Sequence, residues 1–99
     1  MPEPQFSTSW RRRGVIQSDQ GFSVSTPRRY ELVYAEEPDT WYKFAYETLP
    51  GKHLFVYPEP VQLADGSIVK LDDATLNRVL ENIQKAFEWR EFTVEVMGR

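Results

Sequence analysis

Ninety-nine residues with 40% hydrophobic and 14% aromatic content suffice for one folded domain and are too apolar for a disordered chain. The absence of cysteine excludes a disulfide scaffold, thiol redox chemistry and any thiolate–zinc site. The formal net charge is −3 but unevenly divided: Arg11, Arg12, Arg13, Arg28 and Arg29 crowd the first 30 residues against only Glu3 and Asp19, on an otherwise acidic body.

Residues 1–9 are polar, carry two prolines and read as a flexible N-terminal arm without the apolar stretch of a signal peptide. Residues 10–99 read as a single domain. Gly14 to Gln17 and Phe22 to Ser25 are expected as short strands around the turn Ser18-Asp19-Gln20-Gly21. An even loop there sets Val15 opposite Val24 and Arg11 opposite Arg28. Like charges opposite each other disfavour pairing, so the arginines are expected to fan into solvent or meet acidic groups.

Tyr30 to Glu36 and Trp41 to Thr48 form the clearest strand pair, with Glu37-Pro38-Asp39 as the turn. Burial sets the register, because a one-residue slip exchanges the faces. An odd loop aligns Tyr30, Leu32 and Tyr34 with Tyr46, Phe44 and Tyr42, an aromatic face assigned to the core. The opposite face then holds Glu31, Val33, Ala35, Trp41, Lys43, Ala45 and Glu47. Leu49-Pro50-Gly51-Lys52 suits a type II turn. His53 to Tyr57 is a further strand that Pro58 and Pro60 stop or confine to an edge, with Tyr57–Pro58 a candidate cis bond. Val61 to Leu63 and Ile68 to Leu71 flank Ala64-Asp65-Gly66-Ser67 as a hairpin.

Then the hydrophobic period changes. From an Asp72 or Asp73 cap to Arg90, Leu76, Val79, Leu80, Ile83, Ala86 and Phe87 recur on one helical face. A last strand spans Glu91 to Met97. The predicted fold is α+β: an antiparallel sheet of about five to seven strands, one C-terminal amphipathic helix packed on one face, and a final strand.

The chemistry-bearing residues are few. His53 is the sole imidazole and has neither a second histidine nor a cysteine to share a metal or serve a nucleophile. Gly51-Lys52 lacks the glycine five positions earlier and the following Ser or Thr of a phosphate loop. No cofactor or metal is expected. A small enzyme built on Glu47 and His53 requires a deep pocket containing both. The stronger feature is the arginine cluster, whose planar forks suit carboxylate or phosphate. Acidic protein partner, nucleic acid, and a solvated or internally paired cluster stay open for it; the acidic balance disfavours nucleic acid. Trp41, with Val33 and Lys43, marks a second candidate patch on the mixed sheet face.

Trp10, Arg13-Gly14-Val15, the tyrosine-rich strands, Glu47, and Arg78 with Asn82-Ile83 and Ala86 before a last strand resemble small immunity proteins of bacterial polymorphic toxin systems. The resemblance spans residues 10–97 and implies a single α+β domain that neutralises one cognate toxin by binding it. It implies no catalytic residue. A cytoplasmic protein-binding module is therefore expected, with Arg11, Arg12, Arg13, Arg28, Arg29, Trp41, Val33 and Lys43 as binding residues. Nucleic-acid binding through the same arginines is the alternative. No membrane partner is expected, since no apolar run approaches the ~20 residues of a span. A homodimer through the exposed sheet face is compatible with either function.

Overall fold

The computed structural model describes residues 3–8, 14–36 and 39–98. Among these, eight strands form one curled sheet that wraps a single helix. The strands are β1 (Phe6–Thr8), β2 (Ile16–Ser18), β3 (Phe22–Arg28), β4 (Glu31–Glu36), β5 (Thr40–Leu49), β6 (His53–Leu63), β7 (Ile68–Val69) and β8 (Thr93–Val96). The helix α1 (Asp73–Trp89) joins β7 to β8. Strands β1 to β7 lie side by side in chain order, each antiparallel to the next. Strand β8 returns along β6 in the parallel sense. The crossover through α1 makes this possible, because parallel neighbours need a long connection.

The aromatic face predicted for the central pair is the core face. Tyr34 pairs with Tyr42 and Leu32 with Phe44, and Leu32, Tyr34 and Phe44 are buried. Alternation continues outward, with Phe22 and Val24 on β3 and Leu54 and Val56 on β6 also buried. Against this floor lies the helix stripe Leu76, Val79, Leu80, Ile83, Ala86 and Phe87. Its five large apolar side chains contribute roughly 1.5–3 kcal/mol each, an upper bound because unfolded chains already bury some surface. That sum is comparable to the whole stability of a small domain.

Local signals set both ends of α1. Hydrogen bonds from the Thr75 hydroxyl and from the Thr75 backbone N–H, the latter at 3.0 Å, hold the Asp72 carboxyl below the usual carboxylate range. At the C-terminus the Glu91 N–H donates to the Glu88 carbonyl at 2.9 Å and the Phe92 N–H to the Phe87 carbonyl at 3.0 Å. Glu91 takes the left-handed conformation, φ +69°, and Phe92 packs edge-on against Phe87 at 5.6 Å. This is a Schellman stop with glutamate where glycine is usual.

Four expectations need correction. Residues 6–8, read as part of a flexible arm, are a strand. Phe6 packs against Phe22 at 6.0 Å and Trp89 at 5.9 Å, and Gln5 exchanges two 2.9 Å hydrogen bonds with Asp19. One aromatic ring outweighs the polar composition around it. Second, Val24 faces Ile16 rather than Val15. The loop between β2 and β3 is odd, so Ile16 is the buried partner; the Arg11–Arg28 pairing rested on the same register, and Arg11 lies outside the described residues. Third, Pro58 and Pro60 do not end the strand, because β6 runs through both to Leu63. Pairing on the β5 side continues at Gln62 and Leu63 after an irregularity, and the cis peptide bond is Glu59–Pro60. Fourth, Tyr30 stands outside β4, in the turn, with φ +68°.

Candidate functional site

The sheet buries one face and leaves the other to solvent. On that outer face Val33 pairs with Lys43 and Ala35 with Trp41. The sequence-derived patch of Val33, Trp41 and Lys43 is therefore contiguous, and all three side chains are half-exposed. The Lys43 ammonium sits 3.7 Å from a Glu31 carboxylate oxygen and 5.8 Å from the Trp41 ring centre. These contacts fix the lysine over the indole and hold both side chains in place. Trp41 also lines a shallow recess of about 320 Å³ with Asp39, Thr40, Tyr42, Leu63 and Asp65.

The arginine cluster is only partly in view. Arg11, Arg12 and Arg13 lie outside the described residues. Arg28 and Arg29 are exposed at the tip of the β3–β4 hairpin. Arg28 is the last paired residue, opposite Glu31, and the Arg29 guanidinium lies 5.0 Å from the Tyr30 ring centre. Val33 and Ala35 follow along β4, so the tip stands on the order of 15 Å from Trp41 at about 3.4 Å per residue. The tip belongs to the β3–β4 hairpin and the patch to the β4–β5 pair, so the two share β4.

Outer-face residues that sequence reasoning missed are Phe55 and Ile68. Phe55 alternates with buried Leu54 and Val56, a signal that was available. Ile68 pairs with Gln62 and is 67% exposed; its apolar hairpin context argued for burial.

His53 and Glu47 share this outer face. Glu47 lies opposite Phe55, and His53 opposite Leu49. The imidazole stacks on Phe55 at 4.7 Å, and its Nε2 is 3.6 Å from a Glu95 carboxylate oxygen on β8. That separation is too long for a hydrogen bond. The recess that Glu47 lines holds Arg29, Tyr30, Tyr46 and Thr48 instead. The Tyr57 hydroxyl faces the Glu47 carboxylate, which pushes the phenol pKa up. The recess that Glu47 lines thus does not include His53. Among the described residues no group of three or more histidines, cysteines or carboxylates converges to hold a metal ion. No described helix is long and apolar enough to cross a membrane.

A polar chain runs through the core edge. Asn82 on α1 donates to the Tyr34 hydroxyl at 2.9 Å, Tyr34 donates to Glu36 Oε2 at 2.9 Å, and Arg78 donates to Glu36 Oε1 at 2.7 Å. Burial pushes the Tyr34 phenol well above its ordinary value, and the neighbouring Glu36 carboxylate adds to this. These three hydrogen bonds tie the helix to β4. Arg78 and Asn82, two of the residues that carried the family resemblance, thus have structural partners inside the molecule.

Comparison with known proteins returned no matching family model, no matching curated protein and no matching solved structure.

Proposed function

We propose that this chain is a non-enzymatic protein-binding module, of the kind represented by bacterial immunity proteins that neutralise a cognate toxin by covering it. One observation carries this reading: the helix closes the inner sheet face, while Val33, Trp41 and Lys43 stand together on the outer face. An aromatic ring and a cation fixed against each other supply the contacts enriched in interface anchors. Arg28 and Arg29 supply steering charge for an acidic partner. The cytoplasm is the compartment proposed with this role, where a cytoplasmic toxin would be met.

The experiment is co-expression with the protein encoded by the adjacent gene. The expected result is growth restored by this chain, with both proteins eluting as one complex. A neighbouring product that is harmless when expressed alone, or two proteins that elute separately, overturns the reading. The variant with Trp41→Ala and Lys43→Glu is expected to lose protection while remaining folded.

A further inference from the structure

The tip of the β3–β4 hairpin has a backbone that its sequence does not favour. Arg28 pairs with Glu31, leaving Arg29 and Tyr30 as a two-residue loop. Tyr30 occupies the left-handed region at φ +68°. Glycine adopts that conformation without steric cost, and a bulky residue there is a genuine outlier. The misfit is not recovered by burial, since Tyr30 is 53% exposed. Lys52 and Glu91 share this conformation, but their side chains lie within ion-pair distance of each other, whereas the turn at Tyr30 holds a large ring in solvent where glycine would fit better.

The surrounding charges give the ring a context. Every lysine has a carboxylate within 4.0 Å: Lys43 with Glu31, Lys52 with Glu91, Lys70 with Glu59, and Lys85 with Glu3 and Glu81. Arg78 is bound to Glu36. Arg28, Arg29 and Arg90 have no described carboxylate at that distance, and of these only Arg28 and Arg29 are neighbours. Glu31, directly opposite Arg28, turns its carboxylate to Lys43 instead. Beside the tip opens a recess of about 240 Å³, lined by Arg29, Tyr30, Tyr46, Glu47 and Thr48.

We infer that Arg28, Arg29 and Tyr30 form a docking site for a carboxylate-bearing segment of a partner protein, with Tyr30 as its preset aromatic anchor. This rests on the protein-binding reading and specifies the partner's chemistry. A ligand aspartate or glutamate sits against the two guanidinium groups, whose forks match a carboxylate. An adjoining flat or apolar side chain covers the Tyr30 ring. Glu47 and Glu31 repel negative charge beyond the arginine end. A single acidic side chain therefore fits better than a polyphosphate strand, which would carry charge across the whole recess. The strained turn fixes the ring before binding, which reduces the ordering cost on association.

The test uses the full chain and a fluorescein-labelled peptide with one glutamate beside a leucine in a glycine–serine sequence, with oligothymidylate and the same peptide carrying lysine for glutamate as parallel probes. Anisotropy is expected to show binding of the glutamate peptide alone. Tyr30→Gly is expected to weaken that binding about fivefold or more, as loss of an anchor does. Its melting midpoint is expected not to fall, because glycine relieves the left-handed strain. The variant with Arg28→Glu and Arg29→Glu leaves the Tyr30 backbone alone and is expected to abolish binding. Tighter binding of oligothymidylate, or a Tyr30→Gly affinity within about twofold of the parent, overturns the inference. In the co-expression assay, growth protection retained by both variants overturns the tip site and leaves the protein-binding reading standing.

Discussion

The middle of β4 and the turn that leads into it use the same residue types to opposite ends. On the inner side Tyr34 is buried, its hydroxyl held between Asn82 and Glu36, with Arg78 closing the chain at 2.7 Å. In the turn before the strand Tyr30 stands in solvent beside Arg28 and Arg29, which have no described acidic partner. A tyrosine, a glutamate and an arginine satisfied within the fold make a strut. An exposed tyrosine and two arginines without a described carboxylate partner make a surface with capacity for something else. The comparison locates stability on the buried face of β4 and recognition at the hairpin tip where the strand begins.

The sharpest way to break the comparison is from within the core. Ile83 is fully buried in the helix stripe, and Ile83→Ala is expected to cost about 2–5 kcal/mol in urea unfolding. In a domain of marginal stability that approaches global unfolding. A loss as small as that of an exposed site would contradict the packing described here.

Next in size is Tyr34→Phe, which leaves the Asn82 amide and one Glu36 oxygen without their partner. The expected cost is about 1–3 kcal/mol in the same assay. The polar chain also predicts a direction with pH. The folded-state pKa of Tyr34 is raised, so its contribution is fully present below the ordinary phenol value of 10.0 and is lost as pH rises through the higher folded value. Urea midpoints should therefore fall at alkaline pH, and by less in Tyr34→Phe. Asp72 works in the opposite sense. Its lowered pKa gives a contribution present above the unfolded carboxylate value and lost as pH falls through the folded one. An Asp72→Asn variant should flatten part of the acid limb.

Outer-face changes should barely register in unfolding. Lys43→Glu removes one partly exposed ion pair, expected to be worth about 0–1 kcal/mol, yet is predicted to impair partner binding. Smallest of all, Glu91→Gly relieves the left-handed residue that stops α1, and a gain of a few tenths of a kcal/mol is expected in thermal melts.

The fold was legible where periodicity was strong. The helix stripe from Leu76 to Phe87 and the register of Tyr34 on Tyr42 follow from patterns of 3.6 and 2 that burial enforces. The N-terminal strand was hidden because a single ring, Phe6, anchors it amid prolines and polar residues. The continuity of β6 was hidden because proline usually ends a strand, whereas here pairing resumes beyond Pro60. Parallel pairing of β8 depends on where α1 delivers the chain, which no local pattern encodes. In the candidate site, Trp41, Val33 and Lys43 were brought together from strand alternation alone. Tyr30 was misplaced into the strand because its turn lacks the Gly or Asn that usually announces a positive φ.

The most direct measurement is amide hydrogen exchange of the chain, free and in complex with the partner isolated by co-expression. Binding is predicted to slow exchange in residues 28–33 and 41–45 and to leave residues 78–83 as they were. Protection concentrated on the helix, or around Tyr34 and Glu36, would contradict the account.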